Sequence, residues 1–473
     1  MKNPSLLLIN PWIYDFALYD FWARPLGLLY LASLLRLNGY NVSYIDCLDR
    51  YYPGLEEEPG LTRGVTRQFG TGSFYRRRIP KPSCLRDIPR YFYRYGLSQR
   101  LFLEALGSVE KPAAVLVTSG MTYWYPGAFE VIRLAKERWP DVPVILGGIY
   151  ATICHEHAKA NSGADFIMDG PGENRILPLL EKITGEKTAS SLEVADLDDL
   201  LCPTFDFCCP GDSHASLARH VVPDMVPYPA FDLQRRIDYV CLLTSRGCPF
   251  NCSYCASHLL QTKFLRRSPG NVVAEILFWH REHSVRDFAF YDDALLVDAE
   301  SHIIPVLEAV IASGIEANFH SPNGLHARFI NAKLAGLMHR AGFSAVRLGL
   351  ETTSNRLDNK VTFEEFAQAV SYLKEAGFES DRIIAYLLMG LPGQMPSEVE
   401  NAIRMVQKCG ASPYLAEYSP IPHTELWKDA VSCSRYDLEE EPLTHNNSVI
   451  PCLGGKFTWE DVKRLKEIAH APV

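Results

Sequence analysis

Residues 246–255 read Arg-Gly-Cys-Pro-Phe-Asn-Cys-Ser-Tyr-Cys, and they follow an apolar segment, Tyr239–Ser245, that predicts a buried strand. The stretch contains three thiols at the spacing C-x3-C-x2-C: Cys248, Cys252 and Cys255. Thiols this close along the chain reach one small object only if the backbone curls tightly, which Gly247 and Pro249 favour. We therefore expect the three cysteines to be ligands of one metal centre.

This cysteine spacing suits two kinds of metal centre, and the number of protein ligands that each requires distinguishes them. A structural zinc ion needs four ligands, and the nearest candidate for the fourth is His258. A [4Fe–4S] cluster has four irons, so three cysteine ligands leave one iron open to a substrate. The spacing favours the cluster over zinc, and either metal over three purely structural thiols.

After this motif, predicted strands alternate with predicted helices. Together with the strand before the motif, the strands are Tyr239–Ser245, Arg286–Tyr291, Glu316–His320, Ala345–Leu350, Ile383–Leu388 and Tyr414–Tyr418. The helices between them are Ser301–Ser313, Ile330–Ala341, Phe363–Ala376 and Ser397–Cys409. Six such units predict a partial (β/α)6 barrel, in which sites gather at the carboxyl ends of the strands.

Polar or glycine-rich residues follow four of these strands in turn. They are Asp292-Asp293, Ser321–Gly324, Glu351–Thr353 and Gly390–Gln394. Each has a structural alternative: a helix cap, a plain loop or, for Glu351, an ion pair with Arg347. Their succession at strand ends after a metal motif favours one shared site.

With Tyr254 immediately before the third cysteine, and the motif on the loop after the first strand of an α/β region, the chain resembles the radical S-adenosylmethionine (radical SAM) superfamily. The resemblance implies that the three cysteines bind a [4Fe–4S] cluster whose open iron takes the amino and carboxylate groups of SAM. It implies SAM contacts at Tyr254, Asp292, Asp293, Asn323, Glu351, Leu391, Pro392 and Gly393. Asp292 or Asp293 would neighbour the methionine ammonium, Glu351 would contact the ribose or the methionine, and the loop 391–393 would line the adenine.

The first half of the chain also alternates between strands and helices. Its predicted strands are Ser5–Ile9, Asn41–Asp46, Ala114–Thr118, Val142–Gly147 and Ala164–Met168, with helices over Pro25–Asn38 and Gly127–Arg138. This order predicts a Rossmann-like parallel sheet, which binds ligands beyond the carboxyl ends of its strands. The residues at those ends are Asn10, Asp46, Ser119, Gly147 and Gly148.

The landmarks of this half resemble the radical SAM subgroup that has an amino-terminal cobalamin-binding-like domain. They are Pro25–Ala32 before Gly39-Tyr40, then Gly147-Gly148 and Gly170–Glu173. The resemblance implies cobalamin contacts at Asp46, Ser119, Gly147 and Gly148. Domains that donate a lower axial ligand to cobalt use Asp-x-His-x-x-Gly, whereas this chain has Leu48 at the histidine position. Two alternatives therefore stay open: cobalamin without a protein histidine, or a domain that has kept its shape and lost the cofactor.

An insertion, residues 50–107, interrupts this domain. From Arg63 to Arg100 it contains ten basic residues and one acid, Asp87, so the segment carries +9 and the rest of the chain −18. Its interleaved aromatic residues, Tyr91, Phe92, Tyr93 and Tyr95, suit stacking on bases or binding an anionic substrate. The alternative, which charge runs favour, is a surface whose arginines pair with the acidic remainder of the protein.

Composition limits the class of protein. The chain has 473 residues, 47% of them hydrophobic and 22% charged, which excludes a disordered or fibrous protein. The net charge of −9 argues against a protein that coats nucleic acid. Neither a membrane span nor a signal peptide is predicted, so we expect a cytoplasmic protein with free thiols among its thirteen cysteines.

The predicted domains are an α/β Rossmann-like domain over 1–185, a Pro-rich linker over 186–238, a radical SAM core over 239–426 and a C-terminal extension over 427–473 with one helix, Thr458–Ala469. Cys202, Cys208, Cys209, Cys433 and Cys452 lie outside the cluster motif and show no second C-x2-C spacing. Buried free thiols are therefore expected there rather than an auxiliary cluster.

The leading functional hypothesis is an enzyme in which the cluster passes an electron to SAM. This gives methionine and a 5′-deoxyadenosyl radical that takes hydrogen from an unactivated carbon. With cobalamin the product would be C-methylated; without it, rearrangement, ring formation or oxidation stay open. The expected partners are a small-molecule or modified-biopolymer substrate and a low-potential electron donor such as flavodoxin or ferredoxin. The competing class is a zinc-stabilised nucleic-acid-binding protein, which the acidic net charge and the barrel pattern disfavour.

Overall fold

A computed structural model describes residues 3–185, 228–354, 357, 361–454 and 457–471. Contacts divide the chain into two units: residues 1–79, 91–237 and 265–275, and residues 80–90, 238–264 and 276–473. Residues 186–227 of the predicted linker, with Cys202, Cys208 and Cys209, lie outside the described residues. Residues 80–90 belong to the second unit and residues 265–275 to the first, although each segment is flanked in the sequence by residues of the other unit. The predicted domains, each one continuous stretch of chain, did not include this division.

Residues 3–185 form the strands and helices of the first unit. The strands are β1 (Ser5–Asn10), β2 (Ile13–Asp15), β3 (Tyr19–Asp20), β4 (Asn41–Asp46), β5 (Val65–Thr66), β6 (Gly72–Ser73), β7 (Arg76–Ile79), β8 (Phe92–Tyr95), β9 (Ala114–Val117), β10 (Val144–Leu146) and β11 (Phe166–Ile167). The helices are α1 (Leu26–Leu37), α2 (Gln99–Ser108), α3 (Tyr125–Arg138), α4 (Ile149–Ile153), α5 (His155–Asn161) and α6 (Glu173–Thr184).

The predicted Rossmann-like sheet is confirmed. Its five parallel strands have the order β11-β10-β9-β1-β4. Leu6, Leu7, Leu8 and Ile9 of β1 are all fully buried, as expected of a central strand covered on both faces. Because the chain leaves β1 for β4 on one side and β9 lies on the other, the strand order reverses at β1, where such sheets bind ligands.

Strands of the predicted insertion pair with two short strands from residues 13–20, β2 and β3, and form two small antiparallel sheets that the sequence pattern did not indicate. One has the order β2-β8-β7 and the other β3-β6-β5. Helix α2 lies at the end of the predicted boundaries 50–107 and leads directly into β9.

The basic residues of the insertion use two kinds of partner. Arg63 pairs with Glu56 at 2.7 Å, and Arg94 lies 3.6 Å from a carboxylate oxygen of Glu130. Stacking accounts for others: the Arg78 guanidinium lies 3.6 Å from the ring centre of Tyr91. Ion pairing with the acidic remainder therefore explains only part of the run.

Residues 228–471 supply the remaining elements. The strands are β12 (Val240–Leu242), β13 (Ser245–Arg246), β14 (Leu265–Arg266), β15 (Asp287–Phe290), β16 (Asn318–His320), β17 (Val346–Glu351), β18 (Ile383–Met389) and β19 (Ser412–Glu417). The helices are α7 (Ser257–Leu260), α8 (Pro269–His283), α9 (Ile303–Ser313), α10 (Ala332–Ala341), α11 (Phe363–Glu375), α12 (Pro396–Lys408), α13 (Trp427–Cys433) and α14 (Trp459–Ala469).

The second unit has the predicted partial (β/α)6 barrel. Six parallel strands follow one another as β12-β15-β16 and β17-β18-β19, and the parallel bridges Phe319–Phe343 and Leu325–Leu348 join the two halves. The carboxyl ends of all six strands therefore meet at one end of the barrel. The C-terminal extension differs from the prediction of one helix, because α13 precedes α14. No helix within the described ranges is long and apolar enough to cross a membrane.

Candidate active site

The three cysteines of the motif lie on the loop between β13 and α7. All three cysteines are in the reduced form and partly buried, and the amide of Cys255 donates to the carbonyl of Cys252 at 3.0 Å. Gly247 allows the tight entry into this loop: its φ is +78°, and a Cβ there would lie 2.5 Å from the carbonyl oxygen of Lys263. The predicted curl of the backbone is therefore present.

Electrostatics place the three thiols around one region. Burial, with a smaller contribution from the Asp293 carboxylate, raises the pKa of the Cys248 thiol to about 11. The charges of Cys252 and Cys255 act on Cys248 in the same direction. The neutral thiols would give up their protons to bind iron, which compensates the crowded negative charges.

The donor set fits an iron–sulfur cluster. Such a cluster takes one thiolate per iron, so its ligands face a shared region rather than one ion. Among the described residues, no three His, Cys, Asp or Glu side chains are arranged to hold a single metal ion. His258, the fourth ligand of the zinc alternative, lies in the short helix α7.

Two of the predicted SAM residues meet beside the cluster loop. The Tyr254 hydroxyl donates to the Glu351 carboxylate, and burial, followed by the charge of Glu351, holds the pKa of Tyr254 far above its ordinary value. Glu351 adopts φ +65° at an irregularity in the β17–β18 register. Positive φ in a residue with a Cβ is unfavourable by about 1–3 kcal/mol and persists where surrounding structure enforces it, often at functional sites.

The adjacent aspartates after β15 have different surroundings. Asp292 is buried and accepts hydrogen bonds from the Thr244 hydroxyl at 2.7 Å and the Ser245 hydroxyl at 2.6 Å. Burial raises its pKa to about 6. Asp293 is exposed and is the aspartate whose charge acts on Cys248. Asp292 therefore supports the cluster strand, and Asp293 is the better placed of the two to meet the ammonium group of SAM.

The other predicted SAM residues also lie at strand ends. The Asn323 amide donates to the backbone carbonyls of Tyr291 and Asp292, at 2.9 and 3.2 Å, which joins two strand ends. Leu391 is buried in an apolar cluster against which Tyr254 packs. Pro392 is partly buried and Gly393 is exposed in the following turn.

Sequence reasoning missed the side chains that support these residues. The Gln394 carbonyl oxygen accepts hydrogen bonds from the amides of Gly390 and Leu391, at 2.8 and 3.2 Å. The hydroxyl of Thr244 lies 2.8 Å from the His302 ring nitrogen as well as binding Asp292. Gln394 lies inside the predicted loop Gly390–Gln394 and Thr244 near the end of the predicted strand Tyr239–Ser245, but sequence reasoning assigned neither side chain a role.

The predicted cofactor crevice of the first unit contains two linked pairs. Asn10 donates to the Asp46 carboxylate at 2.7 Å, and Ser119 donates to the carbonyl of Gly147 at 2.6 Å. Burial raises the pKa of Asp46. Gly148 adopts φ +98°, and a Cβ there would lie 2.2 Å from the Ser119 carbonyl oxygen. Only glycine fits at position 148, so the strand ends β9 and β10 are locked together.

Apolar surface flanks this crevice. Met121 and Ile149 follow Ser119 and Gly148 closely in the sequence and are 39% and 38% exposed, so two large apolar side chains are exposed beside this turn. The side chain of Leu48 packs with the apolar cluster of Ile13, Phe74 and Tyr95. An exposed apolar rim over a glycine turn suits the face of a large ring system.

Replacing each aspartate separately is expected to distinguish the residue that stabilises the fold from the residue that binds SAM. Asp292→Ala leaves the Thr244 and Ser245 hydroxyls without their acceptor, so we expect a loss of about 2–4 kcal/mol of unfolding free energy. Asp293→Asn keeps the size of an exposed side chain, so stability should change by less than about 1 kcal/mol while SAM affinity falls severalfold. Thermal unfolding and equilibrium dialysis with SAM measure the two effects. Equal SAM affinity in Asp293→Asn and the wild type would contradict the assignment.

Comparison with protein families gives one match to the barrel region and one to the parallel-sheet domain. Residues 242–406 match the radical SAM superfamily, and residues 102–179 match the B12 binding domain. The chain is 24% identical, over 71% of its length and 74% of the relative, to an uncharacterized methyltransferase of Pyrococcus horikoshii. It is 21% identical, over 98% of its length and 89% of the relative, to the cytidylyl-2-hydroxyethylphosphonate methyltransferase of Streptomyces wedmorensis.

A solved structure has a similar fold over nearly the whole chain. The radical SAM methyltransferase TsrM of Kitasatospora setae, solved with tryptophan and a SAM analogue, superposes with a TM-score of 0.62 and 15% identity. The match covers 94% of this chain and 83% of TsrM. The family match identifies an enzyme that uses a [4Fe–4S] cluster and SAM. Residues 242–406 of the chain are therefore a radical SAM domain, and a B12-binding domain precedes it over residues 102–179.

Proposed function

We propose that this enzyme is a cobalamin-dependent methyltransferase that acts on an unactivated carbon of a small anionic molecule. The observation that carries the proposal is the crevice at β1, β9 and β10, where Gly148 and Ser119 form a tight turn beneath exposed Met121 and Ile149. The turn lies within the segment that matches the B12 binding domain. A scaffold without a cofactor has no need of an exposed apolar rim there.

When bound, the cluster and SAM supply a radical that removes hydrogen from carbon, and cobalamin supplies the methyl group. The residues of this chain hold and orient these groups. Cys248, Cys252 and Cys255 hold the cluster, Asp293 offers a negative charge to the SAM ammonium, and Glu351 offers an acceptor to its hydroxyl groups. The electron that starts the reaction would come from a low-potential protein such as flavodoxin or ferredoxin.

The interior face of the barrel supports an anionic substrate. The Tyr386 hydroxyl donates to the carbonyl of Pro322 at 2.8 Å, so the face of β18 that bears Tyr386 points inward. Arg347 pairs with Ile384, two residues before Tyr386 on β18, so it lies on the same face of the sheet; it is 8% exposed. Burial lowers the pKa of its guanidinium, whereas the Tyr386 and Tyr414 phenols raise it.

A guanidinium between two phenols suits a phosphonate or carboxylate group. Tyr414 is 56% exposed, so the barrel is open where a substrate would approach Arg347. The named substrate of the Streptomyces relative carries a phosphonate, which belongs to this class. We therefore place the substrate anion at Arg347.

Corrinoid retention tests the proposed function. Protein reconstituted anaerobically with iron and sulfide is incubated with hydroxocobalamin and freed of unbound corrinoid by gel filtration. We expect about one corrinoid per chain by visible absorption. Because Leu48 stands at the histidine position and packs into an apolar cluster, the EPR spectrum of the reduced corrinoid should show no splitting from a protein histidine, which labelling the protein's histidines with nitrogen-15 distinguishes from the corrinoid's own benzimidazole.

Two outcomes would contradict the proposal in different ways. Protein that retains no corrinoid, yet still forms 5′-deoxyadenosine from SAM, would be a radical SAM enzyme of rearrangement, cyclisation or oxidation rather than a methyltransferase. Retained corrinoid whose nitrogen splitting changes when the protein's histidines are labelled with nitrogen-15 would contradict the Leu48 argument alone. Arg347→Met should leave corrinoid content unchanged, which makes it the matched control for this measurement.

A further inference from the structure

Two cysteines outside the cluster motif lie next to each other in the C-terminal part of the barrel unit. Cys433 ends helix α13 and is exposed, whereas Cys452 is buried in the segment before α14. The Cys433 thiol donates to the carbonyl of Ala430 at 3.5 Å, and Cys452 packs with Ala430 in one apolar cluster. The last turn of α13 therefore directs the Cys433 sulfur toward Cys452.

Both cysteines lie against Ala430, Cys433 through its thiol and Cys452 through the apolar cluster, so the two thiols are neighbours. Burial raises the pKa of Cys452 well above its ordinary value, and the nearby Cys433 thiol acts in the same direction. Tyr418 lies beside them: burial, then the charges of Cys452 and Cys433, raise the pKa of its phenol. Its buried hydroxyl has no hydrogen-bond partner within the described residues. These contacts bring together two thiols that are 19 positions apart in the sequence.

The pair lies close to the SAM residues. The apolar cluster that contains Cys452 also contains Leu391 and Tyr418, and Tyr254 of the metal motif packs against it. Cys433, by contrast, reaches solvent. An external reagent can therefore meet Cys433 first, and a bond to Cys452 would then form against the side chains that support Tyr254.

We propose that Cys433 and Cys452 are a redox-active dithiol that closes to a disulfide by exchange with a low-molecular-weight disulfide such as oxidised glutathione. The Cys433 thiolate attacks one sulfur of the external disulfide, breaks its S–S bond and releases the first thiolate. The Cys452 thiolate then attacks the Cys433 sulfur, breaks the mixed disulfide and releases the second thiolate. The two cysteines lose two electrons, the external disulfide gains them, and the two cysteine protons end on the released thiols.

The expected consequence is a tether between helix α13 and the segment before α14. It would fix the apolar cluster against which Tyr254 packs, and so link the redox state of the surroundings to the rigidity of the site. The proposal goes beyond the proposed function, since it depends neither on the substrate nor on cobalamin.

Peptide mapping of the wild-type holoenzyme tests the proposal. Anaerobic, cluster-reconstituted protein is equilibrated with glutathione at rising ratios of oxidised to reduced form, alkylated with N-ethylmaleimide and digested with trypsin. Cleavage after Arg435 separates the two cysteines into peptides 429–435 and 436–456. We expect a disulfide-linked pair of these peptides that increases with the ratio and disappears after treatment with dithiothreitol.

Matched variants identify the bond. Cys433→Ser changes an exposed residue and should abolish the linked pair, together with any rise in the unfolding temperature on oxidation. Cys409→Ser, at another partly buried free thiol, should retain both. Absence of the linked pair in oxidised glutathione alone would overturn the proposal. So would a glutathione adduct that persists on Cys433 while Cys452 is alkylated, because it would mean that the two sulfurs do not meet.

Discussion

Replacing Cys248, Cys252 or Cys255 by alanine is expected to remove the cluster and abolish cleavage of SAM. Each thiolate holds a different iron, so the loss of one ligand opens a second iron to solvent and the cluster dissociates. Anaerobically reconstituted wild type should contain about four irons per chain, and each variant should contain fewer than about one. Formation of 5′-deoxyadenosine should fall to background. Iron analysis and chromatography of the SAM products measure the two effects.

His258→Ala is the control variant that distinguishes a [4Fe–4S] cluster from a zinc ion. His258 lies in α7, directly after the cluster loop, and is the fourth ligand that zinc would need. The cluster uses three cysteines, so this variant should keep its iron and its brown colour. Loss of metal in His258→Ala, with zinc in the wild type, would contradict the iron–sulfur assignment. Cys409→Ser, which removes a thiol far along the sequence from the motif, controls for general damage from losing a cysteine.

The barrel could be predicted from the sequence because its strands are nearly continuous apolar runs. Val346 to Leu350 are all buried, including Arg347, and the helices after β16, β17 and β18 have their own start signals. The capping box of Thr362 and Glu365 before α11 is one of these signals. In a parallel sheet both faces are covered, so the pattern is strong enough to locate the strands.

The antiparallel sheets of the insertion could not be predicted in the same way. β7 consists of Arg76–Ile79, whose arginines give no apolar alternation. The strand is held instead by pairing with β8 and by stacking, since Arg76 lies 4.5 Å from the ring centre of Tyr93. Such contacts join residues that are far apart in the sequence, so they leave no local pattern.

Within the site, the strand ends could be located from the sequence, but the different roles of neighbouring side chains could not be assigned. Asp292 and Asp293 are chemically identical, and only the fold makes one a buried partner of Thr244 and the other an exposed carboxylate near Cys248. The meeting of Cys433 and Cys452 likewise depends on how α13 packs, because their spacing matches no motif.

Replacing the two adjacent glycines at the end of β10, one at a time, is the second experiment for which we expect a large effect. The two positions have different surroundings, so the two replacements should differ in their effects on stability and on binding. A Cβ at Gly148 would lie 2.2 Å from the Ser119 carbonyl oxygen, and φ is +98°. Gly148→Ala therefore combines a clash with backbone and an unfavourable conformation, and we expect it to lower the free energy of unfolding by about 2–4 kcal/mol. A Cβ at Gly147 would lie 3.7 Å from the Met168 carbonyl oxygen, which is ordinary contact.

Gly147→Ala should therefore fold with a stability within about 0.5 kcal/mol of the wild type. If a planar cofactor lies against the backbone at Gly147, the added methyl group should still lower corrinoid retention severalfold. Gly107→Ala, on helix α2 with no heavy atom within 4 Å of the new Cβ, is the control; it should leave corrinoid retention unchanged and raise stability by at most about 1 kcal/mol, because alanine favours the helix. Thermal unfolding and retained corrinoid absorption, measured on the same preparations, separate folding from binding.

The three variants distinguish a binding turn from a merely structural one. Loss of corrinoid in Gly147→Ala at unchanged stability would mean that the small side chain serves the cofactor and not the fold. Wild-type corrinoid content in Gly147→Ala, with Gly148→Ala unstable, would mean that the pair is only a tight turn between β10 and α4, and the cofactor contact at Gly147 would be wrong. A stable Gly148→Ala would contradict the close approach of Ser119, on which the shape of the crevice depends.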